Sequence, residues 1–264
     1  MTTPVDYREV SAKYYDEAYA TKEDLEDLNF YCDMAKATGG PVLELACGTG
    51  RVLLPIARQG IAMHGVDYSP SMLSVLEDKL RQEPKDVREL VSVFRADIKN
   101  FRSNREYPLV IIPFRPLQHM YSVEDQVAAL ETAAFHLEDG GQLVFDVFYP
   151  KFDGLASNLG EELLELEWRP KSDPGKVIRR YFRKESVDKI NQNFAATFIF
   201  RTYEEERLVQ EETEPFRMSY YTYPHLRALF LLTGLEILEE YGSFARTPLD
   251  NEARQMIFVL RRSR

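Results

Sequence analysis

Cysteine, long apolar runs and positive charge are all scarce in this sequence. Its 264 residues include two cysteines, Cys32 and Cys47, which do not form a Cys-x-x-Cys pair. Their scarcity argues against a disulfide framework and a thiolate metal site, so we expect a reducing compartment and no metal. No run of about 18 apolar residues is present, and the first residues lack the apolar stretch of a signal peptide. We therefore expect a cytoplasmic protein that does not enter a membrane.

Acidic residues outnumber basic ones, 43 to 33, which gives a formal charge of −10 and a pI of about 5.1. Such a protein as a whole repels phosphate backbones and anionic lipid surfaces. We therefore expect neither nucleic acid nor membrane as a partner. A monomer and a homodimer are both left open. The hydrophobic content of 44% is ordinary for a globular protein with a substantial core.

Between residues 41 and 148, short apolar runs alternate with helical patterns. The predicted strands are Pro41–Ala46, Ile61–Val66, Val91–Ala96, Leu109–Phe114 and Gln142–Phe148. The predicted helices are Arg51–Gln59, Pro70–Arg81 with Ser69 as N-cap, and Val123–His136, which ends in a turn at Leu137–Gly141. This alternation predicts an α/β fold with a doubly wound, mostly parallel, Rossmann-like sheet of seven strands, of which Glu236–Tyr241 and Gln255–Arg261 are the last two.

The flanking segments follow other patterns. Residues 21–38 place Leu25, Leu28, Tyr31 and Ala35 at helical spacing before Gly39. Three strands of alternating polarity, Val177–Val187, Phe194–Thr202 and Arg207–Tyr220, predict an antiparallel insertion, and a helix follows at Tyr223–Thr233. We divide the chain into an N-terminal helical lid (1–40), a ligand-binding core (41–150), the insertion (151–222), and the C-terminal helix with the last two strands (223–264).

A glycine-rich turn follows the first predicted strand, in the sequence Glu-Leu-Ala-Cys-Gly-Thr-Gly-Arg from Glu44 to Arg51. In doubly wound sheets this turn borders the ligand site, and glycine lets a ligand approach the backbone. A phosphate-binding Walker A loop requires Lys after the last glycine, where Arg51 stands. A dinucleotide fingerprint requires a third glycine, where Leu53 stands. Pyrophosphate ligands, and with them dehydrogenases, are therefore disfavoured.

Acidic residues end the next two predicted strands. A carboxylate at Asp67 is placed to accept hydrogen bonds from a ribose diol, and Tyr68 is placed beside an adenine face. Asp97 is positioned to accept from an adenine amino group, with Ile98 packed on the ring. Together with the glycine turn, these residues predict an adenosine pocket.

These motifs resemble those of the class I S-adenosylmethionine-dependent methyltransferases. The resemblance rests on residues 42–51, on Gly65-Val-Asp-Tyr-Ser-Pro-Ser-Met-Leu, on Phe94-Arg-Ala-Asp and on His136-Leu-Glu-Asp-Gly-Gly-Gln-Leu, and covers roughly residues 10–150. It implies that the glycine turn contacts the methionine part of the cofactor, Asp67 the ribose and Asp97 the adenine. We expect Arg51 to meet the cofactor carboxylate and Glu44 its ammonium. The predicted cofactor-binding residues are Tyr15, Tyr19, Glu44, Ala46, Gly48, Gly50, Arg51, Asp67, Tyr68, Met72, Ala96, Asp97, Ile98 and Phe114.

The remaining layout is similar to that of aminosugar N-methyltransferases. This likeness rests on Tyr15-Asp16 with Tyr19, on Phe114–Met120 and on the insertion, and it implies methyl transfer to nitrogen or oxygen of a small-molecule acceptor. His119 follows the fourth strand and is the candidate catalytic base, with a structural histidine as the alternative.

Two other functions stay open at this stage. One is a non-catalytic protein that binds S-adenosylmethionine or S-adenosylhomocysteine. The other is a nucleic-acid methyltransferase, disfavoured because Ile112-Pro-Phe-Arg replaces the Asn/Asp-Pro-Pro-aromatic motif of base methylation.

Overall fold

The computed structural model of the protein describes residues 9–22, 26–155 and 157–263. Within them the chain forms eleven β-strands and eight α-helices. The strands are β1 (Val42–Leu45), β2 (Met63–Asp67), β3 (Val91–Arg95), β4 (Tyr107–Ile112), β5 (Leu137–Phe148), β6 (Glu162–Trp168), β7 (Lys176–Asp188), β8 (Asn193–Glu204), β9 (Arg207–Ser219), β10 (Leu235–Tyr241) and β11 (Gln255–Arg262). The helices are α1 (Glu9–Ala20), α2 (Asp27–Thr38), α3 (Leu53–Ala57), α4 (Pro70–Gln82), α5 (Lys85–Glu89), α6 (Val123–Phe135), α7 (Phe152–Leu155) and α8 (Tyr223–Leu232).

Seven strands form the larger sheet, in the order β10-β11-β5-β4-β1-β2-β3. Strands β1 to β5 are adjacent in this sheet, and every pair of neighbours among them is parallel. Strand β11 is antiparallel to both β5 and β10. The chain goes from β1 to β2 and β3 on one side and then crosses to β4 and β5 on the other. The predicted doubly wound, mostly parallel sheet is confirmed, and its switch point, where ligands bind in such folds, lies between β1 and β4.

Strand β1 is buried along its whole length because apolar layers cover both of its faces. Leu43 and Leu45 pack in the layer that contains Phe145, and Val42 packs in the opposite layer. Such double coverage explains the continuous apolar character of a central parallel strand. Glu44 is the exception, a carboxylate only 2% exposed within the strand.

Two predicted helix boundaries have the expected caps. The Ser69 hydroxyl accepts a hydrogen bond from the Met72 N–H at 3.3 Å, so α4 begins at Pro70. Gly39 takes a left-handed conformation, with φ of 75°, directly after α2. The predicted 21–38 helix is wrong at its start, since α2 begins at Asp27. Leu25, used in that prediction, lies outside the described residues.

The second sheet has four antiparallel strands in the order β6-β7-β8-β9, where the sequence predicts three. The missed strand, β6, pairs with β7 but has a register shift between Leu164 and Leu166. Only Leu166 and Trp168 within β6 are buried. An edge strand with such a shift lacks the strict alternation by which strands are recognised in sequence.

The predicted turn at Leu137–Gly141 is instead the irregular first part of β5. Leu137 pairs with Tyr107 and Gln142 pairs with Leu109, so the intervening residues bulge out of the ladder. A side chain at Gly141 would place its Cβ 2.8 Å from the Tyr107 carbonyl oxygen. The paired glycines therefore permit a close approach inside the strand.

Candidate active site

The turn between β1 and α3 lies at the carboxyl edge of the larger sheet. Its two glycines differ in what a side chain at each position would meet. A Cβ at Gly50 would lie 2.4 Å from Leu76 Cδ1 of α4, so a side chain here would force Leu76 to shift, and φ of 75° favours glycine as well. A Cβ at Gly48 would meet nothing within 4 Å. The open side of the turn is therefore at Gly48, and Ala46, at φ of 62°, begins the left-handed path that exposes it.

Asp67 ties this turn to the end of β2. Its Oδ2 accepts the Gly48 N–H at 2.8 Å, and its Oδ1 accepts the Ser69 N–H at 2.8 Å. A carboxylate oxygen accepts more than one hydrogen bond. The side chain therefore shapes the turn and is also suited to accept from a ligand diol.

The end of β3 carries the second predicted acid. Asp97 Oδ1 accepts the Lys99 N–H at 2.9 Å, and its Oδ2 lies 3.5 Å from Lys99 Nζ. Ala96 is tied to β2 by a hydrogen bond from its N–H to the Asp67 carbonyl at 3.0 Å. Ile98 is buried in the core beside them. The two acids thus lie on adjacent strands of one sheet edge.

Two predicted residues near the start of α4 differ in exposure. Tyr68 is 46% exposed, so its ring face is accessible beside Asp67, whereas Met72 is buried.

Glu44 is a buried carboxylate whose Oε2 has no hydrogen-bond partner among the described residues. Burial raises the pKa of this carboxyl well above its usual range, and the Arg51 charge opposes that shift. An unpartnered buried carboxylate oxygen beside a glycine turn fits an ammonium group. This observation supports the predicted fit of the amino-acid part of S-adenosylmethionine.

Arg51 makes a two-point ion pair that the sequence did not reveal. Its Nη1 and Nη2 donate to Asp27 Oδ1 and Oδ2 at 3.0 and 2.5 Å, and Asp27 is 1% exposed. The guanidinium also lies 4.5 Å from the centre of the Phe114 ring. Two of its five N–H donors therefore serve Asp27, and the predicted cofactor contact must use the others. Asp27 precedes Arg51 by 24 residues, and no local motif connects them.

Three predicted aromatic residues come together above Arg51. Tyr19 lies 4.7 Å from Tyr15 and 4.8 Å from Phe114, between ring centres. Phe114 has a left-handed backbone, with φ of 67°, and its N–H donates to Asp146 Oδ1 at 2.7 Å. Tyr31 O–H donates to the same oxygen at 2.7 Å. Asp146 thus holds the turn after β4, and its position within a buried apolar strand was the available sequence signal.

Helix α1 connects this site to both sheets. Asp16 accepts hydrogen bonds from Thr49 Oγ1 in the glycine turn and from Lys79 Nζ of α4, both at 2.7 Å. On the other side, Ser11 N–H donates to Glu214 of β9 at 2.8 Å. Between α1 and the second sheet lies a narrow pocket whose lining includes Tyr15, Tyr19, Arg180, Phe198 and Phe200.

His119 ends the 3₁₀ turn Pro116–His119, and its imidazole hydrogen-bonds to the backbone of Arg217 on β9. Burial lowers the pKa of His119 to about 4, although this hydrogen bond opposes the shift. The structure therefore joins this side chain to the second sheet by a hydrogen bond.

Within residues 9–22, 26–155 and 157–263, no group of three or more His, Cys, Asp or Glu side chains is arranged to hold a metal ion. In the same part of the chain, no helix has both the length and the apolar character to span a bilayer.

Known proteins resemble this chain in both sequence and fold. Residues 42–141 match the family model described as a methyltransferase domain. The cypemycin N-terminal methyltransferase of a Streptomyces species is 24% identical over 224 residues, which cover 85% of this chain and 84% of that protein. Over the full length of both chains, the fold is similar to that of the CcbJ methyltransferase from Streptomyces caelestis, with a TM-score of 0.81 and 24% identity. It is also similar to S-adenosylmethionine-bound CalS10, an amino pentose methyltransferase from Micromonospora echinaspora, with a TM-score of 0.70, 18% identity and full coverage of both chains.

The fold, the glycine turn with its acids, and the matched domain define the class. Residues 42–141 form a methyltransferase domain, and the protein is an S-adenosylmethionine-dependent methyltransferase with S-adenosylmethionine as its cofactor. The predictions of enzyme class and cofactor are confirmed, and the non-catalytic alternative is not favoured.

Proposed function

We propose that the protein methylates an amine nitrogen of a small molecule that binds between α1, the turn after β4 and the second sheet. The observation that carries this proposal is the aromatic layer of Tyr15, Tyr19 and Phe114, which joins the glycine turn to the pocket beneath the second sheet. Aromatic faces stabilise cations such as a sulfonium or a methylated ammonium. The relatives' names support nitrogen, since they describe an N-terminus and an amino sugar as acceptors.

The proposed cofactor position uses the predicted residues. Asp67 binds the ribose, Asp97 and Ile98 bind the adenine, and the open backbone at Gly48 borders the methionine part. Glu44 pairs with the ammonium and Arg51 with the carboxylate. The other proposed contacts are Tyr15, Tyr19, Ala46, Gly50, Tyr68, Met72, Ala96 and Phe114.

The chemistry requires alignment above all. The bound cofactor supplies an electrophilic methyl group on a positively charged sulfur. The nitrogen lone pair of the acceptor forms the new N–C bond as the C–S bond breaks, and the resulting ammonium releases its proton to solvent. Holding the two reacting atoms in line provides much of the acceleration. The aromatic layer excludes water, and α1 covers the site.

In the direct test, the protein is incubated with S-adenosylmethionine and one of three matched acceptors, which carry a primary amine, a phenol or a carboxylic acid. We expect S-adenosylhomocysteine release with amines, in equal amount to a product one methylene heavier. Transfer to the phenol oxygen, or tight cofactor binding without turnover across the amines, would contradict the proposal.

We infer that His119 is a structural residue, the alternative that the sequence left open, because its imidazole hydrogen-bonds to the backbone of Arg217. A base with a pKa of about 4 takes a proton from an ammonium only against a large free-energy difference. We expect His119→Asn and His119→Gln to keep kcat within about threefold of wild type, against the roughly 100-fold or larger loss that follows removal of a general base. The shape of the kcat/KM profile from pH 6 to 9 should also stay unchanged.

The stability of the wild type gives a second measurement on His119. Because its folded pKa lies below the ordinary 6.5, the unfolded chain binds the proton more readily. This contribution to stability is complete above pH 6.5 and is lost as the pH falls toward 4. Both variants should show a shallower decrease of Tm over that interval. A large loss of kcat restored by added imidazole would instead establish the base.

A further inference from the structure

A buried cation lines the pocket between α1 and the second sheet. Arg180 of β7 is 3% exposed, and its guanidinium carbon lies 4.5 Å from the centre of the Phe198 ring and 5.0 Å from that of Tyr19. Its Nη1 donates to Tyr19 O–H at 3.3 Å, and its Nη2 lies 3.0 Å from Glu165 Oε2. Phe198 belongs to an apolar cluster that also contains Trp168 and Phe200.

Burial of this charge has a cost. Taking a guanidinium out of water is costly, and well-packed apolar residues commonly replace buried ion pairs without loss of stability. The carboxylate that faces Arg180 is itself one-third exposed and is shared with Lys22, whose Nζ lies 3.4 Å from Glu165 Oε1. An expensive charge in an aromatic pocket is a candidate for ligand recognition.

Arg180 is also close to the site of methyl transfer. It contacts Tyr19, and Tyr19 packs against Phe114 above Arg51. An acceptor that reaches this aromatic layer from the pocket therefore passes the guanidinium. The fork of N–H donors on an arginine matches the paired oxygens of a carboxylate or phosphate.

We propose that Arg180 binds an oxyanion on the acceptor, so that the substrate is an amine that also carries a carboxylate or phosphate group. This inference rests on the proposed N-methyltransferase function. The side chains that line this pocket leave no room for a free water molecule, so binding of the acceptor requires them to separate. Glu165 balances the charge of Arg180 until the acceptor's anion takes that role, with Lys22 as the second partner of Glu165.

Binding of small aromatic probes tests the inference without any need for turnover. The protein saturated with S-adenosylhomocysteine is titrated with benzoate, phenyl phosphate and neutral benzamide by calorimetry. Saturation occupies the cofactor site, so Arg51 does not contribute to the measurement. We expect at least one anion to bind at least about tenfold more tightly than benzamide, as charge-assisted hydrogen bonds provide. Comparison of the two anions distinguishes a carboxylate from a phosphate.

Three variants identify the residue that is responsible. Arg180→Met should remove the preference for the anion while leaving S-adenosylhomocysteine affinity and Tm close to wild type, and Arg180→Lys should keep part of the preference. Arg179→Met is the matched control, because Arg179 precedes Arg180 on β7 but pairs with Glu167 on the outer face, at 2.6 Å. Glu165→Gln should strengthen anion binding by removing the competing carboxylate.

Equal or absent binding of both anions by the wild type would overturn the inference, as would an equal loss in Arg179→Met. These results are distinguishable from failure of the proposed function. An enzyme that binds benzoate through Arg180 but methylates only phenols would retain the anion subsite and lose the amine assignment.

Discussion

Replacing Asp67 by alanine is expected to weaken S-adenosylhomocysteine binding by at least about 100-fold, since two charge-assisted hydrogen bonds to a ribose diol are each worth about 1.5–3 kcal/mol. The carboxylate also accepts the N–H groups of Gly48 and Ser69. The substitution therefore removes the hydrogen bonds that hold the glycine turn as well as those to the ribose. Calorimetric titration of wild type and variant with S-adenosylhomocysteine measures the effect.

Asp97→Ala is the matched control for Asp67, because it removes a carboxylate from the adjacent strand end. Its proposed contact is a single hydrogen bond to the adenine amino group, so about a tenfold loss is expected. Asp67→Asn should fall between the two, since its amide oxygen replaces only one of the two acceptor oxygens. Unchanged affinity in Asp67→Ala would contradict the ribose assignment.

The second large effect is expected at Arg51. Arg51→Met leaves Asp27, which is 1% exposed, as an unpaired buried carboxylate, and breaking such a pair typically destabilises a protein by about 3–5 kcal/mol. Urea unfolding measures this loss. Adding Asp27→Asn removes the uncompensated charge, so the double variant should recover most of the stability.

Cofactor affinity then separates the two roles of Arg51. S-Adenosylhomocysteine carries the carboxylate that Arg51 is proposed to meet, whereas methylthioadenosine lacks the amino-acid part. The double variant should lose at least about tenfold in affinity for S-adenosylhomocysteine, the size of one charge-assisted contact, and keep its affinity for methylthioadenosine. Recovery of both stability and S-adenosylhomocysteine affinity would show that Arg51 serves Asp27 alone.

The sequence was most informative about the site where the candidate residues stand in short motifs at the ends of strands. The glycine turn and the acids at Asp67 and Asp97 follow directly from three strand ends, and parallel strands bring such ends to one edge. Tyr15, Tyr19 and Phe114 were also among the predicted cofactor-binding residues. Their contacts with one another became visible only when α1 was placed against the turn after β4.

At Gly50 the structure gives the glycine a reason that the motif did not suggest. The motif suggested that both glycines admit a ligand. The structure shows that Gly50 faces Leu76 of α4 and that the open space lies at Gly48. The distance between two distant segments decided this, and no local pattern records such a distance.

By itself, the sequence determined the alternation of the five parallel strands with helices, the doubly wound sheet and the adenosine-type ligand, because these depend on periodicity, turn residues and short motifs. Only the tertiary structure revealed the Arg51–Asp27 pair, the support of Phe114 by Asp146, the fourth strand of the second sheet and the placement of Arg180 in the pocket. Arg51 and Asp27 are 24 residues apart, Phe114 and Asp146 are 32 residues apart, and Arg180 meets Tyr19 across 161 residues. Burial and packing select such partners, and these exist only once the chain has folded.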